Sequence, residues 1–576
     1  MKTYNTTIKY IIPAIALAIL FPITYIIRKQ FIQSSAKRSQ KAENVLNIGY
    51  LKDKLFEGAT LDKKGKFKQA TKLYRSMLKY EKAFSLIHTN LAKTLTKSKN
   101  YKEAETHIRR ALALVPGDTA NQIFLGIILR NVNKLSESVD VLKKVILKQP
   151  NHYDTNLELS RAYYELRMYE AALKYGLKAD RLKPKNIYAL LNVAYIYNQK
   201  GELDKAIDTY KKVIEIKPNL ANAQYNMGYS LKIKGEMKTA LQYISKAIEL
   251  QPDYLDAHIA RSQSNISLGN FEKGWDEYEW RWGLFGIDHK QYRNSMWDGS
   301  DIKGKTILLR TEQGLGDTLQ FVRYAKILKE MGAKVICKVQ KPLVTLLSSC
   351  PFIDKVVAAL DDTEKHDSHA QLMSLPRILK TLPNTIPAEI PYLYAKPELV
   401  KKWQNKLEKD KNFKVGLCWH VDPIHEKTKS PWSLRSISLD QFKPLSTVKG
   451  VTFYSLQKFK DYEKDAKTPH GLPVTFFGPD FDEKHGAFMD SAAIIKNLDL
   501  VITVDTCIAH LAGALGKPVW MFLPVAPDCR WHLDRSDTSW YPTMKLFRQK
   551  KPQDWNHPIK MVATELQSLA NKRKIS

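Results

Sequence analysis

Cysteine is scarce in this chain, with five in 576 residues, at Cys337, Cys350, Cys418, Cys507 and Cys529. They are odd in number, widely separated and mostly set inside apolar runs. That excludes a disulfide framework and a cysteine zinc site, and leaves them as small core residues with no metal to hold. Acidic residues are also short, 59 against 91 Lys and Arg, for a formal charge of +32. The excess is lysine spread along the whole chain, and its basic stretches lack interleaved aromatics. No specific nucleic-acid partner is expected; the charge favours anionic partners such as nucleotide diphosphates, acidic glycans or a membrane surface.

Long apolar runs are nearly absent. The exception is residues 10–27, eighteen residues without a charge, which would span about 27 Å as a helix. Lys2 and Lys9 precede it, and Arg28, Lys29, Lys37, Arg38 and Lys41 follow. The pattern predicts an uncleaved transmembrane anchor over 10–27, an N-terminal tail over 1–9 and a basic linker over 28–50. The positive-inside rule then makes the protein single-pass with its bulk cytoplasmic. Pro13 and Pro22 weaken the helix, so a signal peptide is the alternative.

What the chain has in quantity is repetition. Pro116, Pro150, Pro184, Pro218 and Pro252 lie thirty-four residues apart. Ala104, Ser138, Ala172, Ala206 and Ala240 keep the same period, as do Gly58, Ala92, Gly126, Ser160, Ala194, Gly228 and Ser262. Small residues let paired helices approach, and proline stops the second helix of each pair. Over residues 51–285 this resembles the tetratricopeptide-repeat family, six full repeats and a partial seventh, in an all-α superhelix. Such arrays bind protein partners or act as spacers. Asn90, Asn192 and Asn226 occupy one repeat position. It resembles the asparagine ladder with which the O-linked N-acetylglucosamine transferases contact acceptor polypeptide, although Phe124 and Glu158 interrupt it. Solvated helix faces explain these asparagines equally well. Trp275, Tyr278, Trp280 and Trp282, followed by Trp297, either seal the end of the array or form a sugar-stacking platform.

Beyond a linker at 286–301 the period changes. Residues 306–310 read as a strand, and 311–317 (TEQGLGD) as a turn in which Gly314 and Gly316 permit close backbone approach and Asp317 opens a helix. Glu312 and Gln313 line the same turn. After a connecting helix over 397–412, apolar strands are expected at 414–418, 451–456 and 474–477. Leu500–Val504 is a strand buried on both faces that stops at Asp505-Thr506, followed by a helix and the strand Val519–Leu523. Asp505 or Thr506 either caps that helix or lies beside an anion at its N-terminus. Two Rossmann-like halves follow from this order, at 302–396 and 413–572, with ligands expected at strand carboxyl ends. Lys427, Lys429 and Arg435 lie at one such end.

QGLGDTLQFVRYA, RSISLDQFKPL, VDTCIAHLAGALGKPVW and RWHLDRSDTSWYPTMKLFRQ resemble the bacterial proteins in which tetratricopeptide repeats are joined to a domain similar to the lipopolysaccharide heptosyltransferases, glycosyltransferase family 9. The resemblance implies a GT-B fold and an inverting, metal-independent transfer of a sugar from a nucleotide-diphosphate donor, with no cofactor beyond that substrate. It implies Asp317 as catalytic base, and donor phosphates at Gly314, Gly316, Arg435, Lys429, Asp505, Thr506, Cys507 and His510. Cys507 stands where the family has glycine. Glu312, Gln313 and the three asparagines would position a protein or glycan acceptor. The expected function is thus a membrane-anchored glycosyltransferase whose repeats recruit its acceptor or a partner. The alternative is a non-catalytic repeat scaffold carrying a degenerate transferase-like domain.

Overall fold

The computed structural model describes residues 41–78, 85–312, 314–359, 364–422, 435–458 and 471–575. The chain divides into two compact units between Ile196 and Tyr197. Each contains helix pairs of the repeat.

The second helices Tyr101–Leu114, Leu135–Lys148, Tyr169–Leu182, Leu203–Ile216 and Met237–Leu250 each stop two residues before a proline of the periodic set. The intervening residue is extended, with φ between −133° and −142°, because the proline ring disfavours helical backbone before it. The small positions are contact points. A Cβ on Gly126 would lie 2.7 Å from Leu142, and one on Gly228 would lie 2.6 Å from Ile244. At Ser138 and Ser160 the hydroxyl is spent across the pair, donating to the Gly126 carbonyl at 2.7 Å and the Ala172 carbonyl at 2.6 Å, whereas Ser262 donates to Ile259 in its own helix.

The turns inside the pairs share a feature with no obvious residue signature. Gly65, Lys99, Asn133, Arg167, Gly201, Gly235 and Gly269 all have positive φ, thirty-four residues apart. The next residue's N–H reaches a carbonyl five residues back, as in Asn100 to Leu95 at 2.8 Å and Met168 to Tyr163 at 2.9 Å, which is the Schellman helix ending. Lys99 and Arg167 adopt this backbone with a Cβ. Arg167→Gly and Lys99→Gly are each expected to stabilise their unit by about 0.5–1 kcal/mol, the left-handed strain relieved less the extra chain entropy of glycine. A urea midpoint that fails to rise at unchanged m would show that the backbone there carries no strain.

The second unit adds two parallel sheets. The first has the order β3-β2-β1-β4, from β1 (Thr306–Arg310), β2 (Lys334–Val339), β3 (Lys355–Ala358) and β4 (Ser368–Gln371). Ile307, Leu309, Val335 and Cys337 share one core with Leu319, Val322, Ala325, Leu328 and Leu346 of the following helices. On the opposite face Leu308, Ile336 and Val357 form a small cluster by themselves, and no helix joins it among the described residues.

The second sheet has the order β10-β9-β8-β5-β6-β7, from β5 (Phe413–Cys418), β6 (Val451–Ser455), β7 (Val474–Thr475), β8 (Leu500–Val504), β9 (Val519–Leu523) and β10 (Met544–Arg548). It is covered on both faces. Val501, Val519 and Met521 pack with Ile508, Ala512 and Ile494. Leu500, Ile502 and Val504 pack with Phe442, Val562 and Leu566. The strand order reverses between β5 and β8, the place where doubly wound sheets bind ligands.

Two expectations are corrected. The first sheet has four strands against six in the second, and the residues of its other face form only a small buried cluster apart from the main core, so the two do not repeat one another as matched halves. The GT-B pair of Rossmann-like halves is therefore not carried forward. Nor is a single-pass membrane protein with a cytoplasmic bulk: among the described residues no helix is long and apolar enough to cross a membrane. Residues 10–27 lie outside the described residues.

Candidate functional site

The two turns singled out in the sequence abut. Asp317 lies in the first turn of the helix Leu315–Phe321, following β1, and its Oδ2 accepts the Gly314 N–H at 3.1 Å. Asp505 and Thr506 follow β8 and lead into the helix Cys507–Ala514. A Cβ on Gly316 would lie 2.9 Å from His510 Cδ2 and 3.5 Å from Cys507 Cα. The close approach that Gly316 permits is thus to the other turn.

Thr506 and Asp505 do not cap the helix. The Thr506 hydroxyl lies 3.2 Å from Thr503 Oγ1 and 3.8 Å from Cys418 Sγ at the end of β5. Asp505 Oδ2 accepts from Arg435 Nη1 at 3.3 Å. The Thr506 side chain makes no cap hydrogen bond to the helix Cys507–Ala514. Its N-terminus stands at the strand-order reversal, where backbone donors and the dipole favour negative charge. The Cys507 thiol is pushed up to about 12 by burial and stays protonated.

His510 is buried, with Nδ1 3.0 Å from the Tyr541 hydroxyl and its ring stacked on Trp531 at 5.5 Å. Its Nε2 stands 4.0 Å from Asp505 Oδ1. Burial, with Arg530 and Arg323 nearby, lowers its pKa well below the ordinary range. The imidazole is neutral, and its approach to Asp505 is not an ion pair.

Arg530 opens the stretch RWHLDRSDTSWYPTMKLFRQ, but the sequence assigned it no role. It sits in the short 3-10 turn Cys529–Trp531 after β9. Its Nη2 donates to Asp317 Oδ1 at 2.7 Å, Nη1 to Gln320 Oε1 at 2.5 Å, and Nε to Asp528 Oδ1 at 2.7 Å. Burial works against the Asp528 carboxylate, yet Arg530 holds its pKa below the usual range. Both Asp317 oxygens are therefore engaged by the chain itself. Among the described residues, the buried Gln320 Nε2 and Trp531 Nε1 have no hydrogen-bond partner.

Other expected site residues lie elsewhere. The Glu312 side chain is buried and held bidentately by Arg281, Nε to Oε2 and Nη2 to Oε1, both at 2.8 Å. Asn192 is buried and donates to Ser160 Oγ at 2.6 Å; Asn226, also buried, donates to the Asn222 carbonyl at 2.5 Å; Asn90 is half-buried. The first two spend their amides within the repeats. Gln313, Lys427 and Lys429 lie outside the described residues. Trp275, Tyr278, Trp282 and Trp297 are buried, and Trp275 meets Phe321 edge-on at 5.9 Å and Trp540 at 6.5 Å. These aromatics pack against the α/β part; they form no open platform. Trp280 lies stacked between His258 at 3.6 Å and His289 at 3.9 Å.

Comparison with known proteins identifies the repeats. Tetratricopeptide-repeat profiles match residues 63–122, 125–187, 194–235 and 221–254. The chain carries tetratricopeptide repeats, as the thirty-four-residue period predicts. Among curated proteins it is similar to protein FlbA of Caulobacter vibrioides, 26% identical over 336 residues, covering 54% of this chain and 55% of that protein. It is also similar to anaphase-promoting complex subunit 3 of Dictyostelium discoideum, 28% identical over 107 residues, 18% of this chain and 11% of that one. The chain thus spans about half the length of FlbA, 55%, and less of the other. Solved neighbours include YrrB, a repeat protein described as having an unusual peptide-binding site, at 23% identity, TM-score 0.27 and coverage of 32% and 95%. The Cut9–Hcn1 hetero-tetramer of the APC/C matches at 15% identity, TM-score 0.34 and coverage of 37% and 42%.

Proposed function

We propose that this protein is a tetratricopeptide scaffold that recruits protein partners through its repeats, with an α/β part whose candidate site is held closed by its own side chains. The observation that carries this reading is Arg530: it engages Asp317 at 2.7 Å, while Gly316 packs on His510. A carboxylate so engaged is not poised for proton transfer. The test is a melting scan of the purified protein against nucleoside diphosphates and nucleotide sugars. A scaffold gives no response, whereas a saturable rise in Tm sinks this reading, because a ligand of the folded state stabilises by mass action.

A second reading is favoured by the meeting of the two turns at strand carboxyl ends and by the resemblance to the heptosyltransferases. In it, Asp317 accepts the proton of an acceptor hydroxyl as the oxygen attacks a nucleotide-linked sugar. The N-terminus of the helix Cys507–Ala514 and Arg435 stabilise the departing diphosphate. Arg530 has to release Asp317 first. On a confirmed substrate pair, Asp317→Asn would then slow turnover about 10²–10⁴-fold. Turnover at the wild-type rate rejects the base assignment.

A further inference from the structure

The arginine that grips Asp317 is itself held from the side of the repeats. Ala526 packs with Leu203, Tyr229 and Ile233 of the last complete repeats. His532 Nδ1 lies 2.9 Å from the Ser267 carbonyl, and its ring lies parallel to Phe271, 6.2 Å between centroids and 5° between planes. Between these two anchors the 3-10 turn Cys529–Trp531 lies against the helix Leu255–Ser267. Residues 525–532 thus run against the helices Ala221–Lys234 and Leu255–Ser267, held at both ends and in the middle.

We infer that residues 525–532 are an internal peptide ligand of the last repeats, and that their seating there keeps Arg530 on Asp317. The face they cover is closed to outside partners while they remain. A partner polypeptide that offers a small apolar residue to Leu203 and Ile233, as Ala526 does, competes for it. Displacement frees Arg530 and with it the Asp317 turn. The coupling belongs to the fold and holds whether or not the α/β part transfers a sugar.

Hydrogen exchange on the full chain tests this. Ala526→Glu places a carboxylate among Leu203, Tyr229 and Ile233 and is expected to unseat the segment. Amide exchange over 525–532 and over 314–321 should accelerate together, each at least tenfold, while residues 85–187 keep wild-type protection. Acceleration confined to 525–532 overturns the coupling to Asp317. Wild-type protection in both segments overturns the seating. If residues 85–187 also lose protection, Tyr229→Ala decides instead, since it removes the Ala526 contact without adding charge: joint acceleration of the two segments supports the inference, and anything less overturns it.

Discussion

Arg281→Met is expected to lower the stability of the second unit by about 3–5 kcal/mol, the usual cost of removing one partner from a buried ion pair. Arg281 and Glu279 are each 1% exposed. The guanidinium donates to Glu279 at 2.9 Å, twice to Glu312 at 2.8 Å and to Ser374 Oγ at 2.8 Å. It also lies over the rings of Tyr278 and Trp282. Methionine fills the volume but leaves two carboxylates in a dry site. Burial raises the Glu312 pKa above its ordinary 4.5, with Arg281 pulling the other way. A carboxyl raised in the folded state contributes stability below its unfolded pKa and loses it as pH rises through the folded value. Without Arg281 the rise is larger, so the deficit of the variant should be smallest near pH 4 and grow towards neutrality. Arg281→Met combined with Glu279→Gln and Glu312→Gln should recover much of the loss. Urea unfolding followed by tryptophan fluorescence at several pH values checks all three statements; a deficit independent of pH would mean that the network is worth only its packing.

This network marks where sequence reading stops. Arg281 and Glu279 carry no signal in the sequence, and Glu312 draws attention only as part of the glycine turn, since nothing local distinguishes a buried charge from a solvated one. The packing that buries them is tertiary. The repeats were legible because one period is imposed many times over, and Pro116 to Pro252 and Gly58 to Ser262 record it independently. The strands Leu500–Val504 and Val519–Leu523 were legible because burial on both faces leaves an unbroken apolar run. The left-handed turns were not, since Lys99 and Arg167 serve where glycine would have announced them. The small separate cluster on the second face of the first sheet was not either: residues 306–310 alternate faces whatever packs against each one. Of the candidate site, the sequence picked out the two turns, which touch where Gly316 meets His510 and Cys507. It missed Arg530, whose partners lie more than two hundred residues away at Gln320 and Asp317.

Arg530→Met should cost about 3 kcal/mol at neutral pH, again because charge is left without its counter-charge. Asp317 Oδ1 and Asp528 Oδ1 both lose a donor at 2.7 Å, and Gln320 Oε1 loses the Arg530 Nη1 donor. The sign with pH follows from Asp528. Its folded pKa is depressed, so its contribution is present above the unfolded value of 3.8 and is lost as pH falls through the folded one. The gap between wild type and variant should therefore close in acid. Lysine restores one charge but not the three-way fork, and Arg530→Lys should recover only part. A merely structural arginine would show the same loss, so the discriminating readout is His510. Burial holds that imidazole neutral, and Arg530 and Arg323 add to the effect. Removing Arg530 takes away one repulsive cation and should move the His510 titration, followed by NMR, upward towards 6.5. Arg281→Met, with no place in that field, should leave it where it is. A His510 titration unchanged in Arg530→Met would mean that Arg530 does not set the charge state of the two turns, and the electrostatic description of the site would fall with it.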